Sequence, residues 1–369
     1  MNLIESIALI GIYPPPFGGV SIHIKILSEE LSNRNMIKVL ITGGKGSDDD
    51  PSYLKRISDI RILNKNIFWH YKIPFITRLY SKNIKVIHSH EGLCSVPFLF
   101  FHRFFFKKNI IHTIHNQWVK ERYNQLNFFS KVITKIFLRD KNTFWICVNE
   151  NAYNQMLELG VKKEAISIIP AYIPNSKNTI TSKSDLKIIQ TIKEFKKDST
   201  LIGVYGFRFY FDANNRDIYG FNFSIDVFKK LLLIKPFIKL IILIPSASPI
   251  DYKEKLKLRI HNEGLSTYVL TIFDNPIINM NLFWTQLDIY FRPTTDDGDS
   301  LAIREAIANG VSTVASDVCN RPKQTKIFKS LNIDNALSNL LEAIDDKQIP
   351  EDDDENYLHK LLLVYANKS

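Results

Sequence analysis

Short apolar runs rich in isoleucine and valine recur along the chain, separated by longer amphipathic stretches. A first series extends from IALIGIY (7–13) to AISIIP (165–170), and a second from LIGVYGF (201–207) to VSTVASD (311–317). The polar, lysine-rich segment 171–200 lies between them. Fully apolar strands that alternate with helices are typical of parallel sheets covered on both faces. The pattern therefore predicts two doubly wound, Rossmann-like α/β domains, with a ligand in the cleft where their strand carboxyl ends face each other.

The length of 369 residues also suggests two domains, at about 100–200 residues per domain. We expect an N-terminal domain over 1–180, a C-terminal domain over 181–350 and a tail helix within 351–369. The three cysteines lie far apart without a CxxC pair, so neither a disulfide framework nor a cysteine zinc site is expected. No apolar run reaches the roughly 18 residues of a membrane span, and Glu5 stands where a secretory signal would be basic. We therefore expect a cytoplasmic protein.

The formal net charge of +10 is concentrated in the first half of the chain. Residues 1–180 hold 24 Lys and Arg against 13 Asp and Glu, whereas the remainder is close to neutral. Within that half, residues 98–141 combine nine basic and two acidic residues with many phenylalanines. Such a stretch can lie on an anionic membrane surface, or it can be a core helix whose lysines point outward. Because no nucleic-acid-binding motif accompanies the charge, no nucleic-acid partner is expected.

Two motifs follow predicted strands of the first domain. Gly18 and Gly19 in YPPPFGGV lie where a loop enters a helix, so backbone amides there can hold a phosphate or hydroxyl group; an ordinary glycine turn is the alternative. His90 in HSHEG and His115 in TIHN each end a predicted strand, where parallel sheets keep their sites. Either histidine can instead be structural. A zinc site would need a third ligand at suitable spacing, and none is apparent in the sequence.

A loop followed by a helix is predicted within DDGDSLAIREAIANGVSTVASD, residues 296–317. Ser300 suits the N-cap, and the helix would end at Gly310. Asp297 precedes the helix, and Glu305 lies more than one turn inside it. Carboxylates in these places can bind sugar hydroxyls while the helix N-terminus holds phosphate; a solvated acidic loop is the alternative.

This segment resembles the nucleotide-sugar signature of family-4 type retaining glycosyltransferases of the GT-B fold, E-G-F-G-L-x-x-L-E-A-x-A-x-G-x-P-V-V-A-S. Here DGDSLAIREAIANGVSTVAS stands in its place. The resemblance implies that Glu305 holds the ribose hydroxyls of the nucleotide. It also implies that Asp297, in place of a glutamate, contacts the transferred sugar. Asp299, Ser300 and Leu301 correspond to the family's F-G-L segment, whose backbone amides meet the sugar and the diphosphate.

Four further matches extend the resemblance to nearly the whole chain. They are YPPPFGGV (13–20), the strand end Thr-Ile-His (113–115), VNENAYNQMLELGVKKEAISIIPAYIP (148–174) and DIYFRPT (288–294). The resemblance predicts the GT-B fold, in which two Rossmann-like domains face each other across a cleft. It also implies that the tail helix packs back on the N-terminal domain.

One part of the family pattern is altered. The family has G-R and K-G pairs whose basic side chains neutralise the donor diphosphate. This chain has Gly206-Phe207-Arg208 and, further on, Tyr219-Gly220. Arg208 and the nearby Arg216 are therefore the candidates for binding the diphosphate.

The resemblance implies transfer of a hexosyl residue from a nucleotide diphosphate sugar to a glycan or polyprenyl-diphosphate-linked acceptor, as in bacterial O-antigen or capsule synthesis. The C-terminal domain would bind the donor and the N-terminal domain the acceptor, with His115 orienting the sugar or the diphosphate. Neither a cofactor nor a metal is expected. Because the family often acts on polyprenyl-linked sugars, residues 98–141 are expected to contact an anionic membrane, which places the protein peripherally on the inner face of the cytoplasmic membrane.

Three alternatives stay open. Asp297-Gly298-Asp299 is also a DxD motif, which in the other large glycosyltransferase fold carries Mg²⁺ or Mn²⁺; that single-domain fold does not predict the doubled strand series. Some nucleotide-sugar epimerases share the GT-B fold. A non-catalytic protein that binds nucleotide sugars or glycans is the third alternative, since the G-R and K-G pairs are altered.

Overall fold

A computed structural model gives the structure of the chain. It describes residues 7–14, 19–42, 61–62, 84–93, 96, 99–100, 103–104, 108–116, 118–173, 181–212, 215–246, 249–275, 277, 279–346 and 357–368. The chain divides into two compact units, Met1–Ile173 with Glu355–Ser369, and Pro174–Asp354. The division falls a few residues from the boundaries that the sequence predicts at 180 and 350.

The first unit is built on a parallel sheet whose described strands run in the order β3-β2-β1-β4-β5-β6-β7. The strands are β1 (Ile7–Ile10), β2 (Ile37–Thr42), β3 (Arg61–Ile62), β4 (Val86–Ser89), β5 (Asn109–Ile114), β6 (Thr143–Cys147) and β7 (Ile166–Ile168). The helices that precede the tail are α1 (Gly19–Asn33), α2 (Val119–Asn124), α3 (Phe128–Leu138) and α4 (Glu150–Glu158). Ile10, Ile87, Ile110 and Trp145 from four of the strands are buried in one apolar cluster, which explains why these runs lack polar alternation.

The second unit is built on a parallel sheet whose described strands run in the order β10-β9-β8-β11-β12-β13. The strands are β8 (Thr200–Tyr205), β9 (Ile238–Ile244), β10 (Val269–Phe273), β11 (Ile289–Arg292), β12 (Ser312–Ser316) and β13 (Thr325–Phe328). The helices are α5 (Lys183–Lys196), α6 (Phe221–Ile234), α7 (Ile250–Asn262), α8 (Met280–Trp284), α9 (Leu301–Ala308) and α10 (Ile333–Asp345). Two apolar clusters cover the two faces of this sheet, one containing Phe228 and Ile242, the other Ile241 and Trp284.

Both sheets have the strand order of a Rossmann-like domain. In each, the first strand is central, the next two strands extend the sheet to one edge, and the later strands extend it from the first strand to the other edge. The prediction of two doubly wound α/β domains is confirmed. In such sheets the order in which successive strands are added reverses between two neighbouring central strands. Ligands bind at the carboxyl ends of that pair, which we call the reversal point. The pairs are β1 with β4 in the first unit and β8 with β11 in the second.

The tail forms helix α11 (Tyr357–Lys368), which belongs to the first unit. The Tyr365 hydroxyl lies 2.6 Å from Nδ1 of His88, and Asn109 donates a hydrogen bond of 2.5 Å to the Lys368 carbonyl. Tyr365 is fully buried, so the helix packs on the sheet through a large side chain. Among the residues described here, no helix is long and apolar enough to cross a membrane.

Candidate active site

The loop after β11 leads into α9, whose first turn is capped as the sequence predicts. The Ser300 hydroxyl accepts a hydrogen bond of 3.4 Å from the Ile303 amide, and the Ser300 carbonyl accepts one of 3.1 Å from the same amide. The chain leaves the helix at Gly310, with φ at 75°. The amides of Leu301 and Ala302 belong to the first turn, where a helix has no carbonyl to accept them. The start of α9 therefore presents donors and the positive end of the helix dipole.

Asp297 lies ahead of α9 and is held by two arginines. Arg292 donates Nε to Oδ2 at 2.6 Å and Nη2 to Oδ1 at 3.0 Å, and Arg321 donates Nη1 to Oδ2 at 2.6 Å. The Gly298 amide (3.1 Å) and the Thr294 hydroxyl (3.5 Å) complete five hydrogen bonds. Burial alone would raise the pKa of Asp297, but Arg292 and Arg321 outweigh it and hold that pKa well below its usual range. Asp297 thus fixes the loop, and does not present an unoccupied carboxylate to a sugar as the family pattern led us to expect.

Arg292 and Arg321 are themselves almost buried, with side chains 9% and 1% exposed. Arg292 also donates to the Tyr290 hydroxyl at 3.0 Å, and Arg321 donates Nε to the Ser316 carbonyl at 3.0 Å. Two guanidinium groups against one carboxylate leave one uncompensated positive charge in this group. Both arginines are bound to Asp297, which lies three residues before the N-cap Ser300 of α9.

Glu305 lies inside α9, and its two carboxylate oxygens differ. Oε2 accepts a hydrogen bond of 3.1 Å from the indole nitrogen of Trp284, whereas Oε1 has no partner among the described residues. Burial raises the pKa of Glu305 to about 7, although the bond from Trp284 acts in the opposite direction. The arrangement leaves one carboxylate oxygen available to a ligand hydroxyl and makes the ionisation of Glu305 sensitive to pH near neutrality.

Asp299 forms an ion pair with Arg304 of α9. Arg304 Nε donates to Oδ1 at 2.9 Å and to Oδ2 at 3.1 Å, and the Asp299 side chain is only 5% exposed. Both aspartates of the DxD sequence are therefore engaged by arginines, which is the opposite of a carboxylate pair presented to a cation. The DxD alternative finds no support in this geometry.

Gly220 places α6 against the end of β11. Its φ is +71°, and a Cβ atom there would lie 2.2 Å from the Pro293 carbonyl oxygen, so only glycine fits. Tyr219, at the position of the family's lysine, has its ring centre 5.8 Å from Cζ of Arg292. The side chain at position 219 therefore reaches the arginine–aspartate group, but it brings an aromatic ring instead of a second cation.

The two arginines predicted to bind diphosphate are both exposed but differ in their partners. Arg216 donates Nε to Asp212 at 2.6 Å, so its charge is already paired. Arg208 lies with Cζ 5.1 Å above the Tyr210 ring and forms no ion pair with any described residue. Of the two, Arg208 is the better placed to meet a diphosphate.

A histidine cluster lies at the reversal point of the first sheet. His90 follows β4 and His115 follows the neighbouring β5, as predicted, and His90 Nδ1 lies 2.9 Å from His115 Nε2. His23 of α1, which no sequence motif marks, joins them with its ring centre 5.1 Å from that of His90 and 5.4 Å from that of His115. The cluster therefore has a third histidine, His23, which lies 67 residues before His90 in the chain and was not predicted from the sequence.

The close approach of α1 depends on Gly11, just after β1. A Cβ atom at Gly11 would lie 2.1 Å from Cδ1 of Ile24 and 3.2 Å from Cβ of His90. Helix α1 begins at Gly19, whose predicted partner in phosphate binding, Gly18, lies outside the described residues. The missing side chain at Gly11 thus lets α1 bring His23 to the ends of β1 and β4.

Two Rossmann-like sheets in one chain are the architecture of the GT-B fold, and the second unit carries a capped helix with a half-buried glutamate at its reversal point. Residues 17–175, which are 159 of the 369 residues, match the family model "Glycosyltransferase Family 4". The match supports a family-4 glycosyltransferase. No curated protein matches it in sequence.

Solved structures show the same fold at low sequence identity. A glycosyltransferase from Rickettsia africae has 13% identity and a TM-score of 0.71, covering 99% of this chain and 98% of its own. HepE of Anabaena in complex with UDP-glucose has 12% identity and a TM-score of 0.66, with coverage of 93% and 91%. WaaG, a glycosyltransferase involved in lipopolysaccharide biosynthesis, has 12% identity and a TM-score of 0.61, with coverage of 92% and 90%.

Proposed function

We propose that this protein is a family-4 glycosyltransferase that moves a hexosyl residue from a nucleotide diphosphate sugar to a glycan or polyprenyl-diphosphate-linked acceptor, retaining the anomeric configuration. The observation that carries the proposal is Glu305 on a capped helix, with one carboxylate oxygen unpartnered among the described residues. The UDP-glucose bound to HepE supports a nucleotide sugar as donor, and the role of WaaG supports a setting in bacterial surface-polysaccharide synthesis, such as O-antigen or capsule.

The second unit binds the donor in this proposal. Glu305 accepts hydrogen bonds from the ribose hydroxyls, and the backbone from Asp299 to Leu301 donates to the sugar and the diphosphate. Charge-assisted hydrogen bonds of this kind contribute about 1.5–3 kcal/mol each. Arg208 approaches the diphosphate from solvent, and the net positive group around Asp297 attracts it from within the unit. Asp297 is a positioning residue, since its oxygens hold the loop.

The reaction begins with stretching of the bond between the sugar's anomeric carbon and the diphosphate oxygen. The departing diphosphate gains negative charge, which the start of α9 and the arginines stabilise. The acceptor hydroxyl attacks the oxocarbenium-like carbon from the same face and passes its proton to the departing phosphate. His115, on the first unit, orients the transferred sugar, and the first unit binds the acceptor. No nucleophilic carboxylate is required.

Donor binding and turnover test this proposal together. Calorimetric titration with UDP-, GDP- and ADP-sugars should give saturable binding of at least one donor to the wild type and none to Glu305→Ala. Glu342→Ala, which removes an exposed glutamate of α10, is the matched control and should bind like the wild type. Donor binding without transfer across an acceptor panel would favour the non-catalytic alternative, and an epimerised donor without acceptor would favour the epimerase. Undiminished binding by Glu305→Ala would refute the assignment of Glu305.

Membrane contact through residues 98–141 is part of the same proposal, and α3 supports it. One face of α3 buries Ile133 and Phe137, whereas Phe128 and Phe129 are 84% and 64% exposed and Val132 is 43% exposed. A core helix whose lysines point outward does not by itself explain the exposed phenylalanines, which supports the membrane contact. Lys131 and Lys135 of the same helix can meet anionic headgroups at about 1 kcal/mol each, while each phenylalanine contributes about 1.5–3 kcal/mol when buried in lipid.

Co-sedimentation with vesicles tests the membrane contact. The wild type should sediment with vesicles containing anionic phospholipid and less with purely zwitterionic vesicles at moderate salt. The double variant Phe128→Ser, Phe129→Ser should stay in the supernatant. Phe237→Ser, which removes a side chain 79% exposed in the second unit, should sediment like the wild type. Equal sedimentation of all three proteins would show that α3 is not the contact.

A further inference from the structure

The imidazole rings of His23, His90 and His115 surround a common centre in the first unit. The ring centres form an almost equilateral triangle, with sides of 5.1, 5.2 and 5.4 Å. One nitrogen from each ring lies within 4.8 Å of the other two. The three residues come from α1 and from the ends of two adjacent parallel strands, so the triangle is fixed by the sheet and by the packing of α1.

The size of this triangle is the size that a tetrahedral zinc ion imposes on its ligands. Zinc–nitrogen bonds of about 2.05 Å at tetrahedral angles, with each ring pointing at the ion, separate the ring centres by about 5.2 Å. The observed separations differ from that figure by at most about 0.2 Å. The ring centres therefore already have the spacing of a tetrahedral three-histidine site, and the nitrogens, which lie within 4.8 Å of one another, have to turn toward the ion.

One hydrogen bond at the cluster is of the kind that metal-binding histidines make. His23 donates Nδ1–H to the Ala171 carbonyl at 2.5 Å, which leaves Nε2 with a lone pair. Metal-binding histidines commonly donate their second nitrogen to a backbone carbonyl in this way. His88, between Tyr365 (2.6 Å) and Thr113 (2.8 Å), packs on His90 with ring centres 4.1 Å apart and holds that ring in place.

One polar atom of the cluster lacks an explanation without a ligand. Nε2 of His90 is buried and accepts or donates no hydrogen bond among the described residues, although His90 as a whole is only 6% exposed. A buried polar atom without a partner is costly and calls for a water or an ion. Nδ1 of the same ring lies 2.9 Å from Nε2 of His115, so Nε2 is the nitrogen of His90 left for an ion.

We infer that His23, His90 and His115 bind a divalent transition-metal ion, with Zn²⁺ as the best match. Three neutral imidazoles are the donor set that suits zinc, copper, nickel and cobalt, whereas magnesium and calcium take oxygen ligands. The described residues supply no fourth ligand, so the fourth position is open to water or to an anionic or hydroxyl-bearing ligand.

The electrostatics of the cluster favour the neutral ligands that a metal needs. Burial lowers the pKa of His23 to about 4, and burial together with the neighbouring histidines holds the pKa values of His90 and His115 well below the usual range. Neutral imidazole is the form in which histidine binds a metal ion.

Zinc uptake by the full-length chain without a histidine tag tests the inference. After chelator treatment, the wild type should take up one zinc ion per chain at buffered micromolar free zinc, measured by elemental analysis. Cobalt in place of zinc should give the visible absorption of a four-coordinate ion, and zinc should displace it. His23→Gln and His90→Gln should each weaken zinc binding by more than about 100-fold, since each removes one of three ligands.

Exposed histidines provide the matched controls. His261→Gln in the second unit and His359→Gln on α11 should bind zinc like the wild type. Circular dichroism shows whether the cluster variants fold. If they do not, the cobalt spectrum of the wild type still tests the inference. Absence of zinc uptake by the wild type would overturn the inference, as would equal uptake by a folded His23→Gln. Because His115 also serves the proposed transfer reaction, binding is measured without substrate, so that either proposal can fail while the other stands.

Discussion

The pH dependence of donor binding reports on Glu305 more sharply than a loss of activity does. Burial raises the pKa of this carboxyl from about 4.5 to about 7. If the ionised form binds the ribose hydroxyls, the apparent dissociation constant falls about tenfold between pH 6 and pH 8, or about 1.4 kcal/mol, as the ionised fraction rises from about one tenth to about nine tenths. Glu305→Gln keeps an acceptor for Trp284 but cannot titrate, so its weaker binding should not change with pH.

The same ionisation changes stability with a defined sign. Because the folded-state pKa of Glu305 is raised, its contribution to stability is full below the unfolded pKa and is lost as the pH rises through about 7. Relative to Glu305→Gln, the wild type should lose about 2–3 kcal/mol of unfolding free energy between pH 5 and pH 8. Donor binding is measured by calorimetry with a nucleotide sugar, because a nucleotide sugar has no phosphate that titrates in this range. Stability is measured by urea unfolding at the two pH values. If donor binding and stability of the wild type show the same pH dependence as those of Glu305→Gln, the reasoning is refuted.

Three other substitutions probe separate parts of the structure. His115→Ala should reduce transfer severely while leaving the donor affinity of the second unit intact; a rate within a few-fold of wild type would remove His115 from the site. Asp297→Asn weakens the partner of two buried arginines and should destabilise the protein by about 3 kcal/mol in thermal unfolding, whereas the exposed Asp345→Asn should change stability by less than about 1 kcal/mol. Gly220→Ala should lower the melting temperature and weaken donor binding, because its Cβ meets the Pro293 carbonyl; wild-type behaviour would contradict that contact.

Much of the fold could be predicted because its information is local. Continuous apolar runs are required for strands buried on both faces, and they mark β1 and β8 clearly. The edge strand β13 was missed because Lys326 and Ile327 are only partly covered or exposed, so Thr-Lys-Ile-Phe is not a continuous apolar run. The N-cap at Ser300 was predictable because a helix start needs a short polar side chain that accepts from its first turn.

The charge pairing of the site could not be predicted, because it is formed by residues distant in sequence. Arg321 reaches Asp297 across 24 positions, and nothing local in the sequence assigns that carboxylate to a structural role. Likewise, His23 meets His90 only because Gly11 allows α1 to approach the ends of two strands. Local sequence patterns marked the positions, and the tertiary contacts decided what each side chain does.

Glycosyl transfer itself is tested most directly by following one nucleotide sugar and one acceptor by NMR. With the donor that binds in calorimetry, the wild type should release the nucleoside diphosphate and form a glycoside whose anomeric proton keeps the donor's configuration, and Glu305→Ala should form none. An inverted product would contradict retention. A donor that stays intact, or returns as its epimer without acceptor, would contradict the proposed glycosyl transfer.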